Sequence, residues 1–78
     1  MSYCLNVEYP GNVYFTENLD ADIIESAGVD CDGSGYGFDI RDLGFTFDSA
    51  EEANAAAERI KQLHKEITTS VFEMEDFV

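Results

Sequence analysis

Apolar and polar residues alternate at the start of the chain: Tyr3, Leu5, Val7 and Tyr9 face one way, Cys4, Asn6 and Glu8 the other. This period of two is the signature of a half-buried strand. Pro10-Gly11 suits the central pair of a type II turn. Val13-Tyr14-Phe15 then reads as a short second strand or as an extended lead into a helix. Leu19, Ile23, Ile24 and Ala27 recur at helical spacing, with Thr16 or Asn18 placed to cap the start and Gly28 the end. Val29 and Cys31 alternate with Asp30 and Asp32 as a short strand, and Gly33-Ser34-Gly35 reads as a hairpin loop. Phe38 and Ile40 share one parity, whereas Leu43, Phe45 and Phe47 share the other. A one-residue slip reverses every side chain, so the phase change near Arg41-Asp42 predicts a β-bulge or break.

The second helix has the clearest signals. Asp48 or Ser49 begins it, each followed three residues later by a glutamate (Glu51, Glu52), as in a capping box. Ala53, Ala56, Ile60, Leu63 and Ile67 form a narrow apolar stripe, which at this length suits packing on a sheet better than a coiled coil. Val71, Phe72 and Met74 suggest a last strand, with Glu73 and Glu75 on its opposite side. The order is strand, helix, strand, strand, helix, strand. It predicts an α+β fold in two layers, an antiparallel sheet of about four strands with two helices on one face. The order resembles the ferredoxin-like βαββαβ arrangement, which a separate strand at Val13–Phe15 would modify.

Gly44-Phe45-Thr46-Phe47-Asp48-Ser49-Ala50-Glu51-Glu52-Ala53 is similar to the third strand and second helix of RNA-recognition motif domains. Those domains need a basic residue before the third strand and aromatics that stack bases on the open sheet face. Here Arg41-Asp42-Leu43 precedes Gly44. The similarity supports the topology, and direct nucleic-acid binding is not expected.

At 78 residues the chain is expected to be one domain, 1–78, near the size at which a single core is barely sufficient. Hydrophobic residues make up 45 %, and apolar periodicity of this kind separates the chain from acidic disordered tails. Charge changes the picture most. Seventeen Asp and Glu stand against four Lys and Arg, a formal net charge of −13. Up to Ile40 there are eight acidic residues and no Lys or Arg at all. Such a body repels itself when compact, so a strongly basic partner is the natural reason for the charge.

Specific chemistry is sparse. Cys4 and Cys31 show no CxxC pairing and read as small apolar side chains in a reducing compartment. His64, the only histidine, sits beside the apolar stripe with no nucleophile placed near it. Asp30-Cys31-Asp32-Gly33-Ser34-Gly35 resembles the first half of an EF-hand loop, but the closing position, which requires a bidentate glutamate, is Arg41. No metal, no cofactor and no catalytic residue is expected, and the size leaves little room for a substrate cleft. No basic segment followed by an apolar run opens the chain, and its apolar runs are too short for a bilayer, so a cytoplasmic protein without membrane contact is expected.

Residues two apart on a strand lie roughly 6.6 Å apart, and helix neighbours three or four apart about 5–6 Å. Asp30/Asp32, Glu73/Glu75 and Asp22/Glu25 fit these spacings, comparable to backbone phosphates. In size, charge and architecture the chain resembles the acidic DNA-mimic inhibitors encoded by phages, among them anti-CRISPR proteins. That resemblance implies a non-enzymatic, monomeric inhibitor of a basic nucleic-acid-binding protein, such as a subunit of a Cascade-type CRISPR effector. The candidate partner-binding residues are Asp20, Asp22, Glu25, Asp30, Asp32, Asp39, Glu73, Glu75 and Asp76, with Tyr36 as an aromatic anchor. Two alternatives stand beside it: a regulatory or assembly module that binds an ordinary protein or pairs with itself, and a weak Ca²⁺-binding loop.

Overall fold

The computed structural model describes residues 2–74. Strand β1 spans Ser2–Pro10, helices α1 and α2 span Gly11–Thr16 and Asp20–Ala27, and strands β2 and β3 span Gly33–Gly37 and Ile40–Phe47. Helix α3 (Ala50–Lys61) and strand β4 (Thr68–Met74) complete the order. The result is an α+β fold built on one open, four-stranded antiparallel sheet in the order β2-β3-β1-β4. Strands β1 and β2 therefore run the same way with β3 between them, joined through α1 and α2. Strands β3 and β4 likewise flank β1 and are joined through α3.

Register fixes which side chains share a face. Val7 lies opposite Leu43 and Thr69, and Leu5 opposite Phe45 and Val71. These rows, with Tyr9 and Phe47, point to the side where Ile23, Ala27, Ala53, Ala56, Ala57 and Ile60 form one core. The alanines of α3 let the helix approach the sheet closely, and Ile60 closes the contact. The other face carries Cys4, Asn6 and Glu8 of β1, Asp42, Gly44 and Thr46 of β3, and Phe72 of β4.

Several expectations change. The segment Val13–Phe15 is helical, not a strand, and makes the helices three instead of two. Pro10, extended at φ −63°, fixes the entry to α1, and the Gly11 amide is satisfied by the Asp39 carbonyl at 2.6 Å. The segment Val29–Cys31 is not a strand, and Gly33-Ser34-Gly35 is not a loop. These glycines form β2 itself, paired from Gly33↔Gly44 to Gly37↔Ile40.

The turn is Phe38-Asp39, both at positive φ (53° and 61°), the two-residue hairpin geometry whose twist matches the flanking strands. No bulge interrupts the β1–β3 pairing, which runs residue by residue from Tyr3↔Phe47 to Pro10↔Ile40. The change of phase arises because Phe38 belongs to the turn, while Arg41 points to the same side as Leu43.

Ser49 caps α3 as its spacing indicates, its hydroxyl accepting from the Glu52 amide at 3.2 Å. The helix nevertheless ends at Lys61, so Leu63 and Ile67 lie beyond it, Ile67 buried and Leu63 exposed. In β4, Glu73 lies opposite Phe72 and Met74 as expected, but Val71 shares its side, facing the core with Leu5, while Phe72 and Met74 take the open face.

Candidate functional site

The carboxylates do not behave alike. Asp20 opens α2, where a negative charge suits the helix N-terminus, and it is held by two partners. Its Oδ2 accepts from Arg41 Nη2 at 2.6 Å and Nε at 3.0 Å, and its Oδ1 accepts from the Tyr9 hydroxyl at 2.5 Å. The Asp20 and Arg41 side chains are mostly shielded, at 18 % and 15 % exposure. Arg41 also donates through Nη1 to the Gly35 carbonyl at 3.2 Å, and its guanidinium lies 4.9 Å from the centre of the Tyr14 ring. One guanidinium thus ties β3 to α1, α2 and the edge strand β2. Its hydrogen bonds to Asp20 hold it firmly protonated. Burial, then the Asp20 carboxylate, pushes the Tyr9 phenol well above its ordinary range.

The remaining candidates lie apart from this node. Asp22 and Glu25 are exposed on α2. Asp30 and Asp32 are exposed in the connection leading to β2, and Asp39 is exposed in the β2–β3 turn. The strand between them, Gly33–Gly37, is the outer edge of the sheet and carries only Ser34 and Tyr36 as side chains. Carboxylates therefore stand at both ends of a nearly bare strand about 17 Å long. Glu8 and Asp42 face each other directly across β1 and β3 on the open face. Like charges so placed oppose pairing, and Glu8 is relieved by a 2.8 Å hydrogen bond from the Asn6 amide. Glu73 stands at the far edge, on β4, away from the β2 margin. Glu75 and Asp76 lie outside the described residues.

The exposed acid runs along the chain from α2 through the connection to the β2–β3 turn, with Glu8 and Asp42 inward of it on the open face. Asp32 lies close enough to Cys4 to add to burial in raising its thiol pKa.

Tyr36 is exposed, as anticipated, but it is not alone. Its ring lies 5.3 Å from that of Phe15 and 5.7 Å from that of Tyr14, and Tyr14 and Phe15 are 5.2 Å apart. Gly11 lets Tyr36 lie close here: a Cβ would run into the Tyr36 hydroxyl, pushing that ring aside, and lie 3.0 Å from the Asp39 carbonyl. Phe15 and Phe38 both read as strand residues in the alternation pattern, which gives neither a place in a site. The place of Phe15 beside Tyr36 depends on α1 being a helix, and the full exposure of Phe38 on its being in a turn.

The other candidates for chemistry are dispersed. Gly33–Gly35 pair in a strand and do not wrap a cation, and among the described residues no group of three or more His, Cys, Asp or Glu could hold a metal ion. His64 accepts from the Glu66 amide through Nδ1 at 3.1 Å and sets Nε2 3.4 Å from Glu17. Both cysteines are free and half-buried, with the Cys31 thiol donating to the Gly33 carbonyl at 3.0 Å. Among the described residues no helix is long and apolar enough to cross a membrane. No protein-family model matches the chain, and neither a curated protein nor a solved structure matches it significantly.

Proposed function

We propose that this protein is a non-enzymatic inhibitor whose acidic surface occupies a basic, DNA-binding groove of another protein, in the manner of the DNA-mimic anti-CRISPR proteins it resembles. One observation carries the reading. Arg41 is the only Lys or Arg before Arg59, and Asp20 engages it internally. Asp22, Glu25, Asp30, Asp32 and Asp39 consequently have no ion-pair partner among the described residues. A basic groove would relieve their mutual repulsion and be steered to them at long range. Asp20 is structural in this reading, and Asp22, Glu25, Asp30, Asp32 and Asp39 form the contact set. The strand order β2-β3-β1-β4, antiparallel throughout, supports a ferredoxin-like arrangement in which α1 and α2 together replace the usual first helix.

The test is competition. A purified Cascade-type CRISPR complex is mixed with its labelled target duplex and increasing amounts of this protein, at low and high salt. Loss of the DNA-bound complex at low salt, weakened when Asp30, Asp32 and Asp39 are changed to Asn, supports the reading. Undisturbed DNA binding by this complex, and by a restriction enzyme tested alongside it, would count against charge mimicry.

A second reading rests on Phe72 and Met74, exposed on the open face of edge strand β4. A module that pairs with itself or with another protein through this face would show concentration-dependent mass in sedimentation, with little sensitivity to salt.

A further inference from the structure

The fold does not call for the side chain it displays at the β2–β3 turn. Phe38 sits at φ 53° with 102 % exposure. Two-residue hairpins with both central residues at positive φ favour Asn-Gly or Asp-Gly, and a bulky side chain in that region is a genuine outlier. Phe38 thus gains no burial and sits where the backbone disfavours it. Such local disagreement with the rules of folding points to function.

The surroundings say what the function needs. Asp39, the next residue of the turn, contacts the start of α1 through the Gly11 amide. Phe15 is 73 % and Tyr36 43 % exposed. With Pro10, Gly11, Asn12 and Asp39 they line a groove of about 470 Å³. Aromatic rings make its walls, and a carboxylate stands at its margin. The same combination already holds a cation within this molecule: the Arg41 guanidinium lies over the Tyr14 ring and pairs with Asp20. A guanidinium stacks on rings and forks onto carboxylates, whereas an ammonium is a more strongly hydrated point charge.

We propose that this groove takes an arginine side chain of the basic partner, so that Phe15 and Tyr36 anchor what the acidic surface attracts, with Phe38 displayed on the same turn as Asp39 to meet the partner outside the groove. The assignment rests on the reading of a basic partner given above, and the net charge of −13 supplies the complementarity. Long-range attraction sets the rate of encounter, and the aromatic end prolongs the stay and distinguishes arginine-bearing partners from lysine-bearing ones.

The test uses the full chain with labelled nona-arginine and nona-lysine peptides, read by fluorescence anisotropy at about 0.15 M salt. The variants are Phe15→Ser/Phe38→Ser and, separately, Tyr36→Ala, each checked for unchanged circular dichroism. Phe15 and Phe38 are exposed enough that their replacement leaves the core alone. The wild-type protein is expected to bind nona-arginine about threefold or more tighter than nona-lysine. The double variant should lose that preference while keeping its affinity for nona-lysine. Equal affinity of the wild type for the two peptides, or a preference that survives both variants, overturns the proposal and leaves the acidic-surface reading standing. Failure to bind either peptide even at low salt removes the acidic-surface reading itself, and the proposal with it. Dimerisation of the wild type that the double variant abolishes would also overturn it, by assigning the groove to a second copy.

Discussion

Arg41 shows how much one side chain can decide. It shares a face with Leu43, Phe45 and Phe47, and from that position it satisfies Asp20, the Gly35 carbonyl and the Tyr14 ring together. Charge-assisted hydrogen bonds of this kind contribute more than neutral ones. Arg41→Ala is expected to cost about 2–3 kcal/mol, read as a lower urea midpoint, and to loosen β2 first in hydrogen exchange. The sequence held a clue that was open to misreading. Its parity with Leu43 puts Arg41 on the inward face, yet the phase change reads as a bulge as long as Phe38 counts as strand. Asp20, 21 residues away, gave no local signal, since such a pairing is made by tertiary approach alone.

Tyr9 and Cys4 give the molecule an alkaline limit. Burial comes first among the causes for both, followed by Asp20 for Tyr9 and Asp32 for Cys4, and both groups hold their protons more tightly folded than unfolded. Their contribution is therefore complete below the ordinary values of 9.0 for the thiol and 10.0 for the phenol, and is lost as pH rises beyond them. Urea midpoints should fall steadily above those values. Cys4→Ser should delay the onset of that fall, and Tyr9→Phe should flatten its later part while lowering stability at neutral pH.

Among the elements, α3 and β2 mark the two extremes of legibility. The start of α3 was written in Ser49 and Glu52, and Ser49→Ala should cost about 1 kcal/mol, seen as a lower melting temperature. Its end was not, because the apolar spacing continues through Leu63 and Ile67 although the helix stops at Lys61. Helix α1 was hidden by residues that favour strands, Val13, Tyr14 and Phe15, and forms because packing on β1 and β3 overrides propensity. Strand β2 is the opposite case. Gly33-Ser34-Gly35-Tyr36-Gly37 has the composition of a loop, and only pairing to β3 and the Arg41 bond to Gly35 make it a strand. Its turn is accordingly improvable. Replacing Phe38-Asp39 with Asn-Gly should raise stability by about 0.5–1 kcal/mol in urea titrations, while removing the aromatic tip proposed to serve binding.

For the whole molecule, self-repulsion is the dominant electrostatic fact. Screening should relieve it, so the melting temperature is expected to rise between low salt and about 0.5 M NaCl, whereas binding to a basic partner should weaken over the same range. Opposite signs in the two experiments would tie the charge to recognition and not to folding. The α+β class and the antiparallel sheet could be read from alternation and capping. The distribution of acid could not, because which carboxylates stay unpaired depends on where one arginine lands.

The bare outer strand has a colloidal consequence. An open sheet has two edges, and edges left without lysine, proline or a covering element invite strand-to-strand addition by other copies. Here β2 has glycine at three of its five positions. Mutual repulsion between molecules of this charge opposes such addition, a guard that acts through distance and vanishes when its charge is neutralised. Near the isoelectric point of about 4.1, or in the presence of polycations below saturation, that guard is removed while the edge remains.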